Sequence, residues 1–264
     1  METNKCPLGI CSGGGLIWYE DNSCSECECR RPFHLQNYLK HSLIPKGYLD
    51  KTFDDFEVKD SMQSRIIDKL KEYVDAWPSC KEKGWGVSII SDKSRIGKSH
   101  LACAVGHAII EKYQVSIERD VVLFINVTEW IDKWKMFYMK WGTDSEETKN
   151  NPLRWQEANV IFNLEGRMKQ TELLILDDIG EAPSTDFVSS KLYTLIEHRS
   201  SNLKPILITS NNPWEVIERK YNDDGIRIVN RLQETSMIYT FFLDRPMTRK
   251  VRKNKEIDSG TVYK

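Results

Sequence analysis

An α/β fold, with a parallel sheet flanked by helices, is predicted from three features of the 264 residues. Apolar runs of strand length recur at Trp85–Ser91, Val121–Val127, Leu173–Asp177 and Ile206–Ser210. Segments long enough for helices separate them, and strands alternating with helices imply a parallel sheet covered on both faces. Finally, the first run leads into a loop ending Gly97, Lys98, Ser99, and later runs end in carboxylates and amides. Ligands of open α/β sheets bind at the C-terminal edge of the strands, where those residues fall.

In chain order, the first ~30 residues are rich in cysteine and glycine, the composition of a loop-built metal module. A connecting stretch follows from Arg30 to Lys59. Met62, Ile66, Leu70, Tyr73 and Trp77 recur at steps of three and four, the stripe of an amphipathic helix that Pro78 is expected to end. Strand Trp85–Ser91 then leads into helix Lys98–Tyr113, and strand Val121–Val127 into helix Thr128–Trp141. A polar insertion, Gly142–Pro152, precedes a helical stretch to Lys169. Strand Leu173–Asp177 is followed by a helix over Thr185–Arg199. Strand Ile206–Ser210 is followed by helical segments to Gln233, and Met237–Phe242 reads as a last strand. The expected division is a zinc-binding module over 1–43, a linker over 44–58 and the α/β domain over 59–264.

The loop from Ser91 to Ser99 has the setting of a phosphate-binding P-loop: strand, tight turn, helix N-terminus. Backbone N–H groups and the helix dipole hold phosphates there, with Lys98 on the β/γ-phosphates and the Ser99 hydroxyl on Mg²⁺. Asp92 stands where that motif has its first glycine. In Leu173–Asp178, a buried strand delivers two carboxylates, Asp177 for Mg²⁺ through water and Asp178 for the attacking water. The alternative is a core strand with an acidic turn. Asn211 ends the next strand, where an amide hydrogen-bonds both the attacking water and the γ-phosphate; strands also end in Asn for turn reasons alone. Arg227 and Arg231 lie four apart on one helical face, and a plain salt-bridged pair is the bland alternative.

In order and spacing these pieces resemble the AAA+ ATPases of the DnaC/DnaI-like helicase-loader and IstB-like group. The resemblance rests on Gly97–Ala102, Leu176–Gly180, Ile208–Asn211 and Arg227–Leu232, with Ile44–Phe56 as the linker before the ATPase core. It implies an AAA+ P-loop NTPase fold and an ATP-dependent loader of a replicative DNA helicase onto single-stranded DNA, self-associating through the AAA+ domain. Arg95, Gly97, Lys98, Ser99, His100 and Asp177 are then the Mg·ATP residues. Asp178 and Asn211 serve hydrolysis, Asn211 as sensor 1, and Arg231 reaches the γ-phosphate of a neighbouring subunit. Arg95 replaces another glycine usual in that group. A side chain limits backbone approach and the Asp92 carboxylate repels a triphosphate, so nucleotide binding with weak ATPase turnover is expected. A transposition helper of the IstB type and a hydrolysis-deficient adaptor binding helicase and DNA are the alternatives.

Five of the seven cysteines fall between Cys6 and Cys29, a clustering that in a reducing compartment points to metal rather than disulfides. Zinc needs four thiolate or imidazole ligands, and so small a module lacks a core of its own. The first choice of ligands is Cys6, Cys11, Cys27 and Cys29, the pattern of many phage loader-like proteins. Cys24 is the spare, although a Cys24/Cys27 pair is also reasonable, and His34 and His41 are possible substitutes. In the resembling proteins this region docks the helicase.

The chain is 40% hydrophobic and 29% charged with a formal net charge of -1, so nothing draws it globally to nucleic acid. Arg245, Arg249, Lys250, Arg252, Lys253 and Lys255 form a basic cluster suited to phosphates or simply to solvent. Trp130, Trp134 and Phe137 are expected in the core, with Tyr138 and Trp141 as candidates for base stacking. No apolar run approaches a membrane span and no signal-peptide core is seen, so the cytoplasm is expected.

Overall fold

A computed structural model describes residues 6, 8–12, 15–113, 120–142, 150–236 and 238–243. Five strands form one parallel sheet in the order β4-β5-β6-β3-β7, with β3 at Val87–Ile90, β4 at Val122–Asn126, β5 at Leu173–Asp177, β6 at Ile206–Ser210 and β7 at Thr240–Phe242. The crossover from β3 to the edge strand β4 runs through α4 (Lys98–Tyr113). The return steps run through α5 (Val127–Trp141) and α6 (Pro152–Gln170), then α7 (Asp186–Ser201), then α8 (Trp214–Lys220) and α9 (Asn222–Thr235). Because the first crossover and the returns run in opposite directions along the sheet, right-handed connections put α4 on one face and α5–α9 on the other.

Alternation along each strand divides the core accordingly. Val122, Phe124, Leu173, Ile175 and Leu207 pack with α4, while Leu123, Ile125, Leu174, Leu176, Ile206 and Ile208 pack with α5–α9. A strand buried on both faces reads as a continuous apolar run, which is why these strands stand out in the sequence. Trp130, Trp134 and Phe137 are buried as expected. Tyr138 stacks on Trp134 with ring centroids 5.6 Å apart, and the Trp141 indole N–H donates to Glu157.

The remaining helices cover the α4 face: α1 (Arg31–His41), α2 (Ser61–Asp75) and α3 (Trp77–Glu82). The Asp60 carboxylate caps α2, accepting from the N–H groups of Met62 and Gln63 at 2.9 and 2.8 Å. One expectation is corrected here. Pro78 does not end the helical region but sits in the first turn of α3, where its missing N–H is no loss. Three strands are also shorter than expected, β3 spanning only Val87–Ile90, β4 Val122–Asn126 and β7 beginning at Thr240; Met237 lies outside the described residues. The segment before α2 rides on this layer. Tyr38, Leu39 and Ile44 are buried there, and the Ser42 carbonyl accepts from the Phe124 N–H of edge strand β4 at 2.7 Å.

Arg199 of α7 is fully buried and fastens the N-terminal ends of the strands. Its guanidinium donates to the carbonyls of Met168 (2.7 Å), Thr171 (3.0 Å), Glu172 (3.1 Å) and Pro205 (2.6 Å). These belong to the last turn of α6, its C-cap, and the residues preceding β5 and β6. A helix end leaves such carbonyls without intrahelical partners, so one planar cation closes three chain segments at once.

The N-terminal region contains an antiparallel hairpin, β1 (Leu16–Trp18) with β2 (Cys24–Glu26), where a purely loop-built module was expected.

Candidate nucleotide site and cysteine cluster

The strand register brings the candidate nucleotide residues together. Asp177 shares its strand parity with Leu173 and Ile175, so its side chain emerges on the α4 face, beside the helix that begins at Lys98. Thr209 is on the same parity of β6, and its hydroxyl donates to Asp177 Oδ1 at 2.7 Å while accepting the Asp178 N–H at 3.0 Å. Asp178 takes a left-handed backbone (φ 56°), turning the chain sharply off the strand. Asn211 Nδ2 lies 3.3 Å from both Asp178 Oδ1 and Glu181 Oε1. Burial pushes the Asp178 carboxyl up to about 6, the charges of Asp177 and Glu181 add to this, and Lys98 opposes it. Lys98 is itself buried and donates to the Lys93 carbonyl at 2.7 Å.

The loop joins β3 to the N-terminus of α4 in seven residues despite its substitutions. Asp92 and Arg95 are both exposed, and Arg95 holds φ 58°, the left-handed conformation that glycine adopts without cost. Gly97 (φ 94°) is required twice over, because a Cβ there would lie 2.3 Å from Phe56 Cε2. Phe56 also meets the His100 ring edge-on at 5.4 Å, and His100 Nε2 contacts the Thr52 carbonyl at 2.9 Å. The expected linker thus lies across the P-loop. Its Tyr48 phenol is pushed up by burial and by the charges of Cys103, Asp177 and Asp178.

Thr209, Asn212 and Phe56 lie in segments picked out from the sequence but were given no role there, and Glu181 was not singled out. The Gly180 of the acidic motif pointed to one of them. A Cβ at Gly180 would sit 2.5 Å from Asn212 Nδ2, and that amide donates to the Gly180 carbonyl at 3.2 Å. Gly180→Ala must therefore displace Asn212, an overpacking that costs typically about 1–3 kcal/mol. A melting temperature lowered by roughly 3–10 °C is expected for a chain of this size. Calorimetry showing no shift would mean the contact is not tight.

Arg231 is not part of this group within one protomer. Its Nε donates to Glu197 Oε2 at 2.7 Å, and its two terminal nitrogens pair with Glu197 Oε1 and Glu234 Oε2 at 3.2 and 3.3 Å. Arg227 pairs with Asp224 and lies over the Tyr193 ring.

The sulfurs of Cys6, Cys11, Cys27 and Cys29 all lie within 4.8 Å of one another, with Cys6–Cys27 at 3.8 Å and Cys11–Cys29 at 3.6 Å. Tetrahedral Zn²⁺ with Zn–S near 2.3 Å sets its sulfurs about 3.8 Å apart, so the donors fit that ion. The backbone N–H of Cys11, opposed by burial and helped by those of Ile10 and Leu8, pulls the Cys6 thiol down to about 6. Burial and then the neighbouring sulfurs push Cys29 up to about 12. Cys24, exposed on β2, and His41, exposed at the end of α1, are outside the cluster; the His34 side chain lies outside the described residues. So does the basic cluster from Arg245 to Lys255.

A five-stranded parallel sheet of this order, with a glycine–lysine–serine loop after its interior strand β3 and carboxylates on β5, is the architecture of the AAA+ P-loop NTPase fold. No protein-family model matches the chain. The replicative helicase loader DnaC of Escherichia coli (strain K12) is 20% identical over 212 residues, 80% of this chain and 75% of that protein. The crystal structure of the DnaC helicase loader superposes with a TM-score of 0.56 at 21% identity, over 75% of this chain and 99% of that one. AMPPCP-bound DnaA from Aquifex aeolicus gives 0.52 at 15% identity, over 76% and 51%. The chain is thus similar in sequence to DnaC over most of its length and shares the fold of that loader. Among the described residues, no helix is long and apolar enough to cross a membrane.

Proposed function

We propose that this chain is an ATP-dependent loader of a replicative DNA helicase, placing it on single-stranded DNA when replication begins in the cytoplasm. One observation carries the reading: Lys98 from α4, Asp177 and Asp178 from the end of β5 and Asn211 from the end of β6 gather at neighbouring strand tips, in a chain similar to DnaC over most of its length. Bound Mg·ATP supplies the transferable phosphoryl group and the cation that offsets its charge. Lys98 exchanges the Lys93 carbonyl for phosphate oxygens, and Gly97, Ser99 and the backbone around Arg95 cradle them. Ser99 and Asp177 hold Mg²⁺, Asp178 orients the attacking water, and Asn211 bonds both water and γ-phosphate. His100 keeps the linker against the loop. Arg231 completes the site of a neighbouring protomer, which makes hydrolysis depend on assembly.

The cysteine module grips the helicase in this reading. Leu8, Ile10, Trp18 and Tyr19 are each more than half exposed on it, an apolar surface suited to a protein partner. Zinc in the Cys6, Cys11, Cys27, Cys29 cluster holds that surface in shape.

Reconstitution with a hexameric replicative helicase and protein-coated single-stranded DNA tests the proposal. The full chain with Mg·ATP is expected to start unwinding, and Lys98→Ala to lose at least about tenfold in ATP affinity along with loading. A chain that neither binds the helicase nor promotes unwinding ends the loader reading. Loading by Lys98→Ala at the parent's level identifies a hydrolysis-deficient adaptor instead.

A further inference from the structure

The loop that follows Asp178 is held from one place. Tyr221, fully buried between α8 and α9, donates its phenol to the Ile179 carbonyl. The preceding Lys220 donates from Nζ to the Gly180 carbonyl at 2.6 Å, and its own carbonyl accepts from the Ser184 hydroxyl. The following Asn222 donates to Asp186 Oδ1 at 3.1 Å and holds a left-handed φ of 49°. Three consecutive residues thus close around residues 179–186, immediately after the carboxylate proposed to orient water. An ammonium–carbonyl bond of this length is charge-assisted and strong for its kind.

Lys220 ends α8, Tyr221 is the N-cap of α9 and Asn222 is its first residue. Arg231 lies nine residues beyond Asn222, about 14 Å along a helix that rises 1.5 Å per residue. Ile228, Val229 and Leu232 bury this helix in the core beside α7, so its N-terminus does not shift independently of its middle. A displacement of the 178–184 loop is therefore passed through the elbow into the helix that carries Arg231.

We infer that the Lys220–Tyr221–Asn222 elbow couples a protomer's own nucleotide site to the arginine it presents to its neighbour, with Lys220 and Tyr221 as positioning residues. The inference rests on the nucleotide-site and Arg231 roles proposed above. It makes the arginine's placement depend on what the donor protomer has bound, which a purely structural staple does not.

Hydrogen exchange on the full chain, with and without Mg·AMPPCP, reads the coupling directly, and calorimetry gives the affinity. In the parent, the analogue is expected to slow exchange at 91–99, at 179–184 and at 222–231. In Lys220→Met and Tyr221→Phe, affinity stays within about threefold and protection at 91–99 is retained, while the response at 222–231 falls at least about fivefold, the worth of a lost hydrogen bond. Lys220 is only partly buried, so its variant keeps the fold even where Tyr221→Phe loosens it. Arg231→Ala keeps the response at 222–231 and loses turnover, which tests the arginine's role separately. An α9 response equal to the parent's in both elbow variants overturns the inference, as does its absence from a parent that binds the analogue. Equal affinity in the parent and Lys98→Ala, or no binding at all, removes the nucleotide-site reading first and the coupling with it.

Discussion

Arg199→Met is expected to lower the melting temperature by roughly 10 °C or more. The side chain is fully buried, and four carbonyls receive it at 2.6 to 3.1 Å. Methionine fills much of the same volume but donates nothing. An unsatisfied buried carbonyl costs about 1–3 kcal/mol, and the four do not add fully because the α6 terminus relaxes toward water. A loss of about 3–5 kcal/mol is expected, as for other broken buried charge sites, and each kcal/mol moves a chain of this size by about 2–4 °C. Arg199→Lys recovers less than half, since one ammonium cannot span carbonyls from α6, β5 and β6. Scanning calorimetry decides it: a shift below about 3 °C for Arg199→Met would mean those carbonyls find other partners. The damage lies at the N-terminal ends of the strands, opposite Asp177, so nucleotide affinity of the folded protein at low temperature should hold.

Removing zinc is expected to unfold the hairpin module and leave the AAA+ sheet standing. The hairpin has three-residue strands, and none of its residues belongs to either core of the sheet. Two short strands are not stable alone in water. Structural zinc supplies about 10–16 kcal/mol to comparable modules, far more than this one draws from packing. One zinc per chain should be released by chelator, with loss of amide protection over 15–29 and none over β3, β5 and β6. Cys27→Ser should reproduce this and Cys24→Ser should not, because Cys27 is buried in the cluster and Cys24 is exposed outside it. Equal effects of the two, or a protected hairpin in metal-free protein, would sink the assignment.

The strands were legible because burial on both faces leaves nothing but apolar residues in them; Leu173–Asp177 and Ile206–Ser210 begin and end where the pattern puts them. Pro78 was misread because a proline within a helix and one in the first turn of the next look alike in sequence; the break lies between α2, which ends at Asp75, and α3, which begins at Trp77. Cys6, Cys11, Cys27 and Cys29, the first choice of ligands from the sequence and its resemblance, lie within 4.8 Å of one another, a proximity that depends on the hairpin bringing the two halves of the module together. Glu181 escaped notice because it lies just past the acidic motif, and Thr209, though inside Ile208–Asn211, was given no role of its own. Each matters only through the register that sets β5 beside β6.

By itself the sequence determined the fold class, the chain order of the five sheet strands and of the helices between them, and which side chains end each strand, because strand and helix periodicities are local properties of the chain; the β1–β2 hairpin and α1 were not read. Only the tertiary structure decided that Phe56 leans on Gly97, that Arg231 pairs with Glu197 within its own protomer, and that Tyr221 holds the Ile179 carbonyl. Each of those contacts joins residues more than thirty positions apart. Long-range pairing depends on how whole elements pack, and no window of sequence contains that information.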